Sequence, residues 1–180
     1  MHRDTRGFTL IELMITLAIA AILLGVALPA FSSGIDAARA SDARSALLAS
    51  LMTASNRGAV TGTRTVLCPS RDGAQCDGDS FDWSHGWIVF LDRNADRERS
   101  DGETLVFQQT ALAAGVRLLS SSGRTRIVFQ GNGGNAGSNA TFTLCDGRGP
   151  GKAQALVMNN VGRLRDGTPK VEAVAAACGG

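Results

Sequence analysis

Four groups of side chains in this 180-residue chain have types and spacings with chemical consequences. The first is the cysteines. Cys68 and Cys76 flank the polar segment PSRDGAQ, while Cys145 and Cys178 lie far downstream. Behind an export-type N-terminus, four thiols read as two disulfides formed in an oxidising compartment. Three connectivities are open. The pairing 68–76 with 145–178 is favoured, because one bond closes a local loop and the other pins the tail. Zinc would need tighter C-x₂₋₄-C spacing than any present. The second group is the run DRNADRERSDGE at 92–103. Asp92, Asn94, Asp96, Glu98 and Glu103 fall at positions 1, 3, 5, 7 and 12 of an EF-hand-like loop. Arg97 stands where that loop requires Gly, and strand-like rather than helical sequence flanks it. The run therefore reads as a solvated hairpin turn, with calcium as a weak alternative.

The third group is cationic. Residues 70–110 hold four Arg against nine Asp plus Glu, a net of −5; residues 111–180 hold eight Lys plus Arg against three acids, a net of +5. The downstream cations Arg124, Arg126, Arg148, Lys152, Arg163, Arg165 and Lys170 suggest a basic face that contacts phosphates without reading sequence. In extended chain Arg163 and Arg165 share a side, as do Arg124 and Arg126. Few aromatics lie near them in sequence, so base stacking is not expected. The fourth group is one residue, Glu12, a carboxylate inside an apolar helix. Such a residue is expensive and reads as functional unless it reaches the interface. Only two His (His2, His85) are present, and no G-x-S-x-G, H-E-x-x-H or P-loop occurs. Catalysis is not expected.

These residues need elements to hold them. The 44% hydrophobic and 19% charged composition, with net charge +2, excludes a disordered chain. It allows one domain with an appendage. The apolar run from Phe8 to Phe31 would form a helix of roughly 36 Å, long enough to cross a bilayer. Arg3 and Arg6 before it place the N-terminus in the cytoplasm. A cleaved secretory signal would have a shorter apolar region. Residues 32–57 continue helically, with Leu47, Leu48, Leu51, Met52 and Ser55 as the apolar stripe, loosely extended by Ile35, Ala38 and Ala43. Gly58 is the expected stop. Beyond it, strands are expected at 63–68, 86–92, 103–109, 116–119, 124–130, 140–145 and 153–159, closely spaced as antiparallel hairpins. The Ala-rich 109–114 is the one further candidate helix.

Gly7-Phe8-Thr9-Leu10-Ile11-Glu12 resembles the class III signal of type IV pilins and type II secretion pseudopilins, and Pro29 falls where those helices commonly kink. The resemblance implies cleavage by prepilin peptidase after Gly7, N-methylation of Phe8, and pairing of Glu12 with the α-amine of an adjacent subunit. Val66-Leu67-Cys68, Gly86-Trp87-Ile88-Val89-Phe90-Leu91-Asp92 and Gly162-Arg163-Leu164-Arg165 are similar, in order, to the GspH/FimT branch. The expected fold is thus α+β, a pilin-like lollipop: leader 1–7, transmembrane and assembly helix 8–31, amphipathic continuation 32–57, and β-rich head 58–180. The resemblance implies a single-pass inner-membrane protein with a periplasmic head that later joins a filament of other pilins. Gly162-Arg163-Leu164-Arg165 resembles the GRxR motif through which FimT-type minor pilins are implicated in binding DNA for natural transformation. The alternatives are an H-type secretion pseudopilin and a pilus-priming minor pilin without DNA binding. No cofactor is expected. An ordinary membrane-anchored domain would fit the hydropathy but not the leader.

Overall fold

The computed structural model describes residues 9–135 and 137–179. Helix α1 (Leu10–Thr61) starts at Thr9, whose hydroxyl accepts a hydrogen bond from the Glu12 N–H at 3.3 Å. A Thr cap with Glu three positions later satisfies a free N–H and sets an acid against the positive end of the helix dipole. The helix runs through position 29 without interruption. It contributes to two compact units, Met1–Ile35 and Asp36–Gly180. In the first unit every described side chain from Leu10 to Ile35 is exposed. An 18-residue window there reaches a mean hydropathy of 2.5, long and apolar enough to cross a membrane.

In the second unit, α1 buries Ala40, Ala43, Leu47, Leu51 and Ala54, at helical spacing. This seam is rotated from the expected stripe: Met52 is 65% exposed, Ile35 and Ala38 are also exposed, and small alanines take their place. The helix also passes Gly58 and stops at Gly62, whose φ of +64° suits only glycine comfortably. Gly58 has a different task. A Cβ there would lie 2.8 Å from the Gln130 carbonyl oxygen, so its bare backbone lets the helix approach the sheet.

The strands are β1 (Arg64–Pro69), β2 (Trp87–Asp92), β3 (Leu105–Gln109), β4 (Arg117–Ser120), β5 (Ile127–Phe129), β6 (Ala140–Cys145), β7 (Gln154–Met158) and β8 (Leu164–Gly167). They form two four-stranded sheets, ordered β3-β2-β1-β5 and β4-β6-β7-β8, with every pairing antiparallel. Their inner faces share one core with α1, including Leu67, Trp83, Trp87, Phe129, Phe142, Leu156 and Met158. Ser50, buried in α1, accepts the Trp87 indole N–H at 2.8 Å. The other face of β1 and β2 is covered too: Val66, Cys68, Ile88 and Phe90 pack with Cys76 and Leu105. Burial on both faces explains why WIVFLD is unbroken apolar sequence rather than alternating.

Three features depart from the sequence reading. The Ala-rich 109–114 is not a helix; β3 ends at Gln109, and the Leu112 N–H donates to the Ser84 carbonyl at 2.9 Å. Six residues before Gly115 are too few to nucleate a helix against such a competing contact. An eighth strand, β8, carries Arg165. The tail forms a second helix, α2 (Val171–Cys178), after a short 3₁₀ turn and β7–β8. Its Ala177 is fully buried against Leu119 and Cys145.

Candidate nucleic-acid interface

The register of the second sheet determines which side chains share its outer face. Met158, Leu156 and Leu164 turn inward to the core. Their sequence neighbours must face outward. Arg165 lies opposite Val157, Val157 opposite Thr141, and Thr141 beside Ser121, whose N–H bonds its carbonyl at 2.7 Å. Beyond this row, the Arg163 carbonyl accepts from the Asn159 N–H at 3.1 Å. The Asn159 side chain also accepts from the Arg163 N–H at 3.0 Å, closing the turn that starts β8; Gly162 occupies its φ of +80° position. On the inner side Asp166 forms an ion pair with Arg44 of α1 at 2.7 Å. That contact holds β8 to the helix and leaves Arg165, with Arg163 just before the strand, on the opposite side. Arg163, Arg165, Lys152 and Lys170 are all exposed, and no acid is paired with any of them among the described residues.

The remaining candidate cations are used differently. Arg126 has only 11% of its side chain exposed; it donates to the carbonyls of Arg97 (3.0 Å) and Gly78 (2.8 Å) and forms a close ion pair with Glu98. Arg148 clasps Asp146 through Nε (3.0 Å) and Nη2 (2.7 Å). Those hydrogen bonds, ahead of any other influence, hold the Asp146 carboxyl below its usual range, although burial opposes them. These two arginines therefore leave the expected phosphate-binding set, because internal acceptors occupy their donors. Arg124 is intermediate: half-buried, it donates to Gly137 O (3.2 Å) and Asn139 Oδ1 (2.7 Å) at the margin of the outer face.

The same chemistry dissolves the calcium loop. Glu103 accepts from the N–H groups of Arg93 (2.8 Å) and Ser100 (3.1 Å), and Asp96 from that of Glu98 (2.8 Å). Asn94 Nδ2 donates to Asp96. Arg64 donates to the Ala95 carbonyl at 3.2 Å and lies 3.8 Å from Asp92. Backbone N–H groups thus occupy Glu103 and Asp96, and guanidinium groups take the Ala95 carbonyl and Glu98. Asp92 is buried, and burial, reinforced by the Glu103 charge, pushes its pKa up. Among the described residues no cluster of three or more His, Cys, Asp or Glu is placed to hold a metal.

Cys68 is joined to Cys76 and Cys145 to Cys178, the two pairs favoured by loop closure. The second bond ties α2 to β6. Glu12 stands exposed in the first turn of α1. Gly7 and Phe8 lie outside the described residues. Missed by the sequence reading were the Arg44–Asp166 pair, the Asn159 turn and α2 itself; only the Thr9-x-x-Glu12 cap carried a local signal.

A helix of membrane-crossing length that continues into the core of an antiparallel head defines the pilin class of architecture. The type IV minor pilin FimU of Pseudomonas aeruginosa superposes with a TM-score of 0.54 at 16% identity, covering 76% of this chain and 91% of that one. A second crystal form gives 0.51 at 15%, covering 73% and 91%. The minor pseudopilin EpsH of the Vibrio cholerae type 2 secretion system gives 0.48 at 12%, covering 73% and 98%. No curated protein sequence matches. The profile described as type II transport protein GspH matches residues 43–162, and the prokaryotic N-terminal methylation motif matches residues 2–28. The chain belongs to the GspH family of pilins and pseudopilins.

Proposed function

We propose that this protein is a minor type IV pilin, anchored in the inner membrane through α1 until it joins a filament, whose head binds DNA without sequence preference. The carrying observation is the pair of exposed guanidinium groups of Arg163 and Arg165, on one face of an edge strand and free of acid partners. Lys152 and Lys170, also exposed, add positive charge to the head. Exposed cations without internal partners release counterions when they meet phosphates, which makes the affinity steeply salt-dependent. The N-terminal methylation motif supports processing by prepilin peptidase after Gly7 and methylation of Phe8. Glu12 then pairs with the terminal ammonium of a neighbouring subunit. Glu12→Val should insert into membranes yet be depleted from sheared filaments; normal recovery there removes the pairing role.

Duplex binding by the full-length protein in neutral detergent, followed by fluorescence anisotropy across a salt series, tests the DNA reading. Arg163→Ala with Arg165→Ala should weaken binding and lower the salt slope by roughly one for each phosphate that is no longer neutralised. No binding by the wild type at low salt rejects it. The family profile's description as a type II transport protein favours the second reading, an H-type pseudopilin, which would then stand.

A further inference from the structure

The outer face of the second sheet ends, at the edge away from β8, on an exposed aromatic ring. Phe81 is 43% exposed, and its carbonyl accepts from the Ser120 N–H at 2.9 Å, so it extends the sheet beyond β4. With Leu119, Thr143, Ala173 and Ala176 it lines a mainly apolar groove of about 430 Å³ beside α2, whose charged lining residues are Lys170 and one acid, Glu172. A second depression shares Ser121 and Thr141 with this groove and leads on to Arg124 and Val157. Val157 is the cross-strand partner of Arg165. Four strand spacings separate Phe81 from β8, about 19 Å, a distance that a few nucleotides span.

We infer that this groove receives unpaired bases of single-stranded DNA, with Phe81 as the stacking ring and Arg163, Arg165 and Lys170 on the phosphates. The inference rests on the DNA reading above. A duplex presents its phosphates and hides the faces of its bases, so it has nothing to place in an apolar groove. An unpaired strand has both parts in alternation. A cationic rim continuous with an apolar, aromatic-walled groove matches that alternation in charge and polarity. An apolar protein segment would fill the groove but leave the cations without a counterpart.

The test uses the full-length protein in neutral detergent, with labelled oligo(dT) of about twelve nucleotides and a duplex of equal length at the same salt. Phe81→Ala should weaken oligo(dT) binding about fivefold or more and leave the duplex within about twofold, since stacking acts only on unpaired bases. Phe81→Trp should retain oligo(dT) binding. Arg163→Ala with Arg165→Ala should weaken both ligands. If Phe81→Ala changes neither ligand, or both equally, the stacking inference is wrong while the phosphate reading stands. Wild-type binding to the duplex alone has the same meaning. Binding to neither ligand overturns the DNA reading itself.

Discussion

The acidic turn at 92–103 and the outer face of the second sheet both carry arginines, and they use them in opposite ways. Around the turn, Arg126 donates to two backbone carbonyls and Glu98, and Arg64 donates to the Ala95 carbonyl beside Asp92. On the sheet face, Arg163 and Arg165 project from an edge strand whose only acid, Asp166, points the other way to Arg44. Charge counted along the chain is therefore a poor measure of charge available to a ligand. A guanidinium group already surrounded by acceptors gains little by moving to a phosphate, whereas one solvated by water loses only water and counterions.

The largest effect expected is structural. Replacing Cys145 and Cys178 together by Ser should cost about 3 kcal/mol, read as a lower melting temperature, because the bond closes the longer loop and holds α2 against β6. Duplex affinity should be largely retained, since β7 and Arg44 hold β8 independently; a collapse of duplex binding would mean that α2 shapes the cationic strip as well.

Next comes the contrast between the two kinds of arginine. Arg126→Ala should destabilise by about 1 kcal/mol, because the side chain is mostly buried and gives up three internal partners, although Glu98 and the two carbonyls can turn to water, while duplex affinity stays within about twofold. The Arg163→Ala, Arg165→Ala protein should show the reverse: stability within about 0.5 kcal/mol and a clear loss of binding. If Arg126→Ala proved as harmful to binding as the double variant, the division between the two sets would be wrong.

Two carboxylates allow the same contrast to be read by pH. Asp146 has its folded pKa depressed by Arg148, so its contribution is present above the ordinary carboxylate value and is lost as pH falls through the lower folded value. Asp92 has its folded pKa raised by burial, so its contribution is present below the ordinary value and is lost as pH rises through the higher folded one. Denaturant titrations between roughly pH 3 and 7 should therefore show Asp146→Asn flattening the acid side and Asp92→Asn removing a decline on the way to neutrality. Matching pH curves for the two variants would contradict these assignments.

The smallest effect is expected at Arg93, exposed in the acidic turn. Arg93→Ala should leave DNA affinity unchanged or slightly changed through local charge. A loss comparable to that of the double variant would place the interface on the acidic side of the head.

Much of this molecule was legible in its sequence. The apolar run, the helical continuation and seven of the strands follow from periodicities of 3.6 and 2 that act between near neighbours. Loop closure favoured the cysteine pairs found, among three open connectivities, and the N-terminal methylation motif lies in a contiguous string of residues. Other features were decided only by the tertiary structure. The stripe of α1 turned because the sheets accept small residues at Ala40, Ala43 and Ala54 and leave Met52 outside. Gly58, which reads as a helix stop, serves instead as the point where α1 meets Gln130 O, 72 positions along the chain from it. Arg126 is occupied by partners 28, 29 and 48 residues away, and β8 is oriented by an ion pair spanning 122 residues. Local sequence decides which backbone conformations are cheap. Which donors remain free for a ligand depends on acceptors brought near by folding, and their separation along the chain hides them from any local reading.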